Sequence, residues 1–335
     1  MIKISYLYVT ENGASINVDG GYFVVSHKDG MIHKIPKETL ESVSLFGNIA
    51  ISTPCAREFL KLGIPVSYFS SRGAYYGRLE STGHKNISRL KKQIYTSDNE
   101  DFSLALAKNI IKAKVSNQRT VLKRYVKYKN TDISAELKNI DIAKVKIDSA
   151  ESSEELIGYE GTAAKYYFSA LSKLIDPEFA FRGRNRMPPK DPFNSMISLG
   201  YTLLMYELYG EIENKGLTPY CGFLHKDHER HPTLASDLME EWRAVIIDST
   251  VLSLIQGKEI HSDCFVTDEE SGGVFLTSEG MRIFLNKYEN KLRSENRYID
   301  NLSMSLRKCL WYQVNTLVKA IETNQPELYK PVLIR

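Results

Sequence analysis

Along residues 1–82 the apolar positions fall in short runs rich in Val, Ile and Tyr. Turn-forming triplets separate them, at Glu11-Asn12-Gly13, Asp19-Gly20-Gly21, Lys28-Asp29-Gly30 and Ser71-Arg72-Gly73. Runs of that length at that spacing predict the strands of a small sandwich or rolled sheet. One helix interrupts them: Thr53 can cap it, Pro54 suits its first position, Phe59, Leu60 and Leu62 give it an apolar side, and Gly63 ends it. A strand over 64–69 follows. From about residue 99 the apolar spacing becomes helical and stays so, predicting helices over 101–128, 135–150, 160–176, 194–209, 237–256, 278–298 and 303–322. The last has a clear buried stripe in Leu306, Leu310, Val314, Leu317 and Ile321. The predicted fold class is multi-domain α+β. A small β-sandwich-like domain over 1–83 is joined by a polar linker, 84–98, to a larger all-α domain over 99–335.

A chain of 335 residues fits two domains, and 42% hydrophobic with 25% charged residues excludes disorder, collagen-like repeats and coiled-coil arrays. The four cysteines, Cys55, Cys221, Cys264 and Cys309, form no CxxC pair, which excludes a zinc ribbon and points to a reducing compartment. The apolar stretch 4–9 is too short for a signal peptide. Glu207 and Asp248 break the longest apolar runs well short of the ~20 residues of a membrane span. A cytoplasmic protein with no membrane association is expected.

Charge changes the picture. Residues 85–129 hold twelve Lys or Arg against three acidic residues, a net +9, while the rest of the chain is net −6. A basic segment on a mildly acidic body suggests a polyanion surface, with a solvated helix face as the plain alternative. Lys108 and Lys112, then Arg119, Lys123 and Lys127, recur at helical spacing and form a stripe; Leu104, Ala107, Ile111 and Val115 supply the opposite face. A second basic segment, Phe181-Arg182-Gly183-Arg184-Asn185-Arg186 followed by prolines, cannot be helical and reads as an extended loop between two helices. Phosphate clamping by Arg182, Arg184 and Arg186 competes there with internal ion pairing.

Several chemistries are absent. No GxxxxGK[ST], GxGxxG after a strand, or GxSxG occurs, and the histidines of His228-Glu229-Arg230-His231 are three apart where a zinc protease helix needs four. Paired ExxH motifs of a di-iron bundle are also missing.

Three places carry ionisable groups where a core would not put them. Glu160 opens a predicted helix in line with Ala164, Tyr167, Leu171 and Leu174, so it is either a dipole partner or a functional carboxylate. His225, His228 and His231 follow the apolar run 221–224. Asp237 and Glu240 share one helix face, which a capping box would explain as well as a metal site. Carboxylates converging in a partly buried place repel one another unless a cation intervenes, and oxygen ligands with one imidazole suit Mg²⁺ or Mn²⁺. Such an ion beside a basic groove is what phosphodiester chemistry needs.

At this point the motifs match a family. The chain resembles the CRISPR-associated integrase and endonuclease of spacer acquisition. The match rests on Gly158-Tyr159-Glu160-Gly161, RNRMPPKDPFN over 184–194, Gly222-Phe223-Leu224-His225, and Leu234-Ala235-Ser236-Asp237-Leu238-Met239-Glu240-Glu241, in that order. The resemblance implies a β domain that forms a homodimer, a helical catalytic domain, and Mg²⁺ or Mn²⁺ held by Glu160, His225 and Glu240, with Asp237 assisting. It also implies double-stranded and branched DNA as substrate and a small ferredoxin-like partner protein. The chain departs from the pattern in its two extra histidines, His228 and His231, and in Glu240, where some members have Asp. The leading reading is DNA integration by 3′-hydroxyl attack on a phosphodiester. A plain metal-dependent nuclease and a catalytically silent DNA-binding scaffold are the alternatives. Among the histidines, His225 is the expected ligand, because 226–231 reads as a charged loop with few anchors.

Overall fold

The structure, a computed structural model, describes residues 5–82, 86–129 and 131–335. Its strand-rich part holds two four-stranded sheets. The first sheet orders β1 (Ser5–Val9), β5 (Leu40–Phe46), β7 (Val66–Phe69) and β8 (Tyr75–Leu79); the first three are parallel and β8 turns back antiparallel. The second orders β4 (Ile32–Pro36), β3 (Tyr22–Ser26), β2 (Ser15–Asp19) and β6 (Ala50–Ile51), with β2, β3 and β4 an antiparallel meander. Alternation sends Ile16, Phe23 and Val25 from this sheet and Val43, Leu45 and Val66 from the other into one core. Helix α1 (Thr53–Leu62) closes it, with Phe59 stacked on Phe23 at 4.3 Å and Gly63 ending the helix in the left-handed conformation. Its cap position is Ser52 rather than Thr53, and no side chain caps it. The strand foreseen from residue 64 begins at Val66.

The helical part contains α2 (Ile87–Ser97), α3 (Glu100–Val126), α4 (Ser134–Ser149), α5 (Ser153–Leu174), α6 (Pro192–Asn214), α7 (Thr233–Met239), α8 (Ser249–Gln256), α9 (Ser278–Arg293) and α10 (Leu306–Thr323). Its core runs from α3 through α5 and α6 to α10 and also takes in Phe46 and Phe69 of the first sheet. The two parts are locked together: Tyr75 stacks on Tyr206 of α6 at 3.4 Å, and Tyr8 donates to Glu289 at 3.1 Å.

Four expectations need correction. The segment read as a polar linker is largely helix α2, capped by Asn86; residues 84 and 85 lie outside the described residues. Its buried side is polar, so no apolar period announced it: Gln93 donates to the carbonyls of Thr218 and Cys221 and accepts from the Thr218 amide, at 2.8–2.9 Å. The helix expected from residue 160 starts at Ser153 and runs through Gly158 and Gly161, so Glu160 lies two turns inside it rather than at its dipole end. The helix expected over 237–256 is α7, a tight turn, a π-helical segment (Arg243–Asp248) and α8. The helical part is also not all α. It carries the hairpins β9 (Phe265–Thr267) with β10 (Val274–Leu276) and β11 (Glu295–Ile299) with β12 (Leu302–Ser305); the second takes the end of the predicted 278–298 helix.

Candidate active site

Four elements converge on one cleft of about 450 Å³: Lys114 from α3, Glu160 from α5, Arg184 and Arg186 from the loop before α6, and His225, His228, His231, Glu240 and Arg243 from the chain around α7. The C-terminal segment bridges α3 and the turn that carries Glu240. Asn117 of α3 donates to the carbonyls of Glu241 and Val332 at 3.0 and 2.9 Å, and the Val332 amide donates to Glu241 Oε2 at 3.0 Å. Helix α3 and the turn carrying Glu240 are thereby held in fixed relation.

Asp237 is fully buried in the fifth position of α7, so the capping-box explanation fails. Its Oδ2 accepts from the amides of Phe223 and Leu224 at 2.7 and 2.9 Å; its Oδ1 accepts from the His225 amide at 3.3 Å and meets the ring Nδ1 at 2.7 Å. A Cβ at Gly222 would come within 2.6 Å of Oδ2, which explains the glycine that opens this turn. With both oxygens spent, Asp237 is an orienting group. It fixes Nδ1–H as the donor of neutral His225 and leaves Nε2 as the acceptor. That bond, against the opposing effect of burial, raises the His225 pKa above its ordinary value.

Glu240 is 5% exposed. Its Oε1 meets Arg243 at 3.1 Å, across the π-helical start. Its Oε2 faces Lys114 Nζ at 2.6 Å without a well-aligned hydrogen bond. Burial pushes the carboxyl pKa up, but Arg243 and Lys114 outweigh it and hold it down at about 2. Glu160 Oε1 pairs with the same Lys114 ammonium. Arg243 is held in turn by the Tyr201 ring, 4.7 Å from its guanidinium carbon, and the Tyr201 hydroxyl donates to buried Asp248 at 2.6 Å.

The expected ligands thus share a cleft but do not all meet at one point. Glu160 and Glu240 converge on a single cation, the Lys114 ammonium, while His225 stands at the rim with its side chain 44% exposed. Among the described residues no three His, Cys, Asp or Glu side chains already form a metal cage. The donor set nonetheless fits a hard divalent ion, with two carboxylates placed around a positive charge and an imidazole whose free nitrogen is fixed by its other hydrogen bond.

The basic residues divide. Arg184 and Arg186 line the cleft, Arg184 also donating to Asn194 Oδ1 at 2.9 Å, whereas Arg182 is exposed outside it. Most of the α3 stripe faces α4: Lys112 pairs with Asp148, Lys108 reaches the Asp148 carbonyl at 3.4 Å, and Arg119 grips Asp141 at 2.6 and 3.0 Å. Lys123 and Lys127 are exposed. The histidine loop is better anchored than its composition suggests, because His231 Nε2 meets Ser236 Oγ at 2.9 Å. Sequence reasoning missed Lys114 and Arg243. Lys114 sits at helical spacing from Ala107, Ile110 and Val121, all buried, and that position is the signal it left.

An α+β chain whose cleft gathers two carboxylates and an imidazole among lysines and arginines falls in the class of enzymes that work on the phosphodiesters of nucleic acids. Residues 7–290 match the family model for CRISPR associated protein Cas1. A CRISPR-associated endonuclease Cas1 of Mycobacterium tuberculosis is 37% identical over 322 residues, 96% of this chain and 95% of that protein. The chain belongs to the Cas1 family. Among solved structures, a Cas6-RT-Cas1–Cas2 complex aligns with TM-score 0.84 and 26% identity over 99% of this chain, which spans 36% of that longer one. A casposase bound to integration product shares the fold, with TM-score 0.86 and 23% identity over 99% of this chain and 94% of that one. The four cysteines are unpaired, and no described helix is long and apolar enough to cross a membrane.

Proposed function

We propose that this protein is a DNA integrase and endonuclease of CRISPR spacer acquisition, acting at the cleft between α3, α5 and α7. In the integration step the 3′-hydroxyl of a captured DNA fragment gives up its proton as its oxygen forms a new P–O bond at a repeat boundary. The bond to the repeat's own 3′-oxygen breaks, and that oxygen leaves with a proton. One ester replaces another, which agrees with a chain that lacks a nucleotide cradle. The observation that carries the reading is the convergence of Glu160 and Glu240, beside an oriented His225, in a cleft walled by Arg184 and Arg186.

Glu160, Glu240 and His225 would hold Mg²⁺ or Mn²⁺. When bound, such an ion supplies positive charge that activates the attacking oxygen and stabilises the leaving one. The chain's own residues do the rest. Asp237 holds the His225 ring in one tautomer, Arg243 fixes the Glu240 carboxylate, and the cleft arginines grip the phosphates flanking the reacting bond. Lys123, Lys127 and Arg182 extend the positive surface. Lys108, Lys112 and Arg119 contribute less, because α4 already neutralises or engages them. Pairing through the β domain into a homodimer, a small ferredoxin-like partner, and a cytoplasmic site of action belong to the same reading. Hydrolysis of linear or branched DNA follows at the same site when water replaces the 3′-hydroxyl.

A strand-transfer assay with Mn²⁺ tests this. Alanine at Glu160, His225 or Glu240 should abolish joined products while DNA affinity changes little. Full activity in any one variant removes that residue from the site, and a gel shift without chemistry in the unaltered protein would leave only a scaffold.

A further inference from the structure

Lys114 has no part in the chemistry above, yet its side chain is 9% exposed and its ammonium stands between the two carboxylates of the cleft. A lysine in that position of α3, among Ile110, Ile111 and Val115, is costly to bury unless opposite charges surround it. Glu160 and Glu240 do so from separate elements. The geometry at Glu240 is informative. Oε1 is taken by Arg243, whereas Oε2 is held by the Lys114 ammonium at 2.6 Å, a close ion pair without ideal hydrogen-bond alignment, so a divalent ion reaching that oxygen must displace the lysine. Lys114 and Arg243 together balance the two carboxylates, and a divalent ion added to that neutral set would be repelled by the ammonium.

We propose that Lys114 is a resident counterion of this centre: it holds Glu160 and Glu240 together in the metal-free protein and competes with the divalent cation for their oxygens. The inference rests on the reading of those carboxylates as metal ligands. Its consequence is that metal binds as the flexible lysine stem withdraws. Lys114 therefore lowers metal affinity while keeping the ligand pair assembled. A positioning residue that served only the fold would leave affinity unchanged or weaken it.

The test is Mn²⁺ binding to the full-length protein, followed by calorimetry and by the electron paramagnetic resonance signal of free Mn²⁺. Lys114→Met should bind Mn²⁺ about tenfold or more tightly than the unaltered protein. It should also melt lower in EDTA and gain a larger melting shift from Mn²⁺, because the ion then replaces a missing charge. Equal or weaker Mn²⁺ binding by Lys114→Met overturns the proposal. Glu240→Gln separates the two ideas: loss of Mn²⁺ binding there supports the ligand assignment, whereas retained binding removes that assignment and the counterion with it. If Lys114→Met does not fold, Glu160→Gln and the Lys114→Met/Glu160→Gln pair make the same comparison with only one carboxylate left. The double variant must bind Mn²⁺ more tightly than the single one, and the reverse order overturns the proposal.

Discussion

Replacing Asp237 by Asn changes one atom and one charge at the residue on which the His225 turn is built. The fully buried carboxylate receives two amides on Oδ2 and the His225 amide and ring on Oδ1. Asparagine has one oxygen to offer. Keeping that oxygen on Phe223 and Leu224 turns its NH₂ toward His225. The ring must then present an Nδ1 lone pair and carry its proton on Nε2, where a metal ligand needs a lone pair. A hydrogen bond to a charged group contributes about 1.5–3 kcal/mol, so the variant should lose about 2–3 kcal/mol of stability and remain folded. An outer partner of a metal-binding imidazole is worth about 10–100-fold in affinity or activity, and strand transfer should fall by that factor. The His225 pKa should also move down toward its ordinary value, since the bond to Asp237 is the largest cause of its elevation. Urea denaturation, single-turnover strand transfer and ¹⁵N shifts of the imidazole read the three consequences separately. A folded variant with the Nε2–H tautomer and unaltered rates would refute the link between the Asp237 bond and the chemistry.

Two further outcomes are expected. Arg184→Ala/Arg186→Ala should flatten the slope of log affinity against log salt by about 1–2, while Lys112→Ala/Arg119→Ala should leave it nearly unchanged; the opposite pattern returns the DNA surface to the α3 stripe. Burial pushes Glu241 up to about 8, against the pull of Tyr329 and Val332. A carboxyl whose folded value lies above its unfolded one contributes stability that is fully present below the unfolded pKa. That stability is lost as pH rises through the folded value, here between about 4.3 and 8. Glu241→Gln should therefore remove that decline, on the order of 5 kcal/mol at about 1.36 kcal/mol per pKa unit, and an identical pH profile of the urea midpoint in both proteins contradicts it.

The β-then-α order, the helix ending at Gly63 and the stripe of α10 were legible because each follows from local period or turn chemistry. Helix α2 was not, since Gln93 buries a hydrogen-bonding amide where a pattern search looks for Leu or Val. The early start of α5 was hidden by Gly158 and Gly161, which cost helix propensity but are tolerated within a helix that α3 and α4 support. Within the site, the motifs pointed to Glu160, His225 and Glu240. Only tertiary packing shows that Lys114 joins the two glutamates, or that Lys112 and Arg119 are engaged by α4. The same holds for Asp237, whose spacing fitted a cap equally well and whose role appears only when the backbone of 223–225 folds over it.

The central claim is that Glu160, Glu240 and His225 serve one divalent ion, and anomalous scattering from crystals soaked in Mn²⁺ tests it most directly. A peak bounded by the two carboxylates and His225 Nε2, lost in Glu240→Ala crystals, is the expected result. A cleft without a peak, or a peak held by His228 and His231 instead, would contradict it.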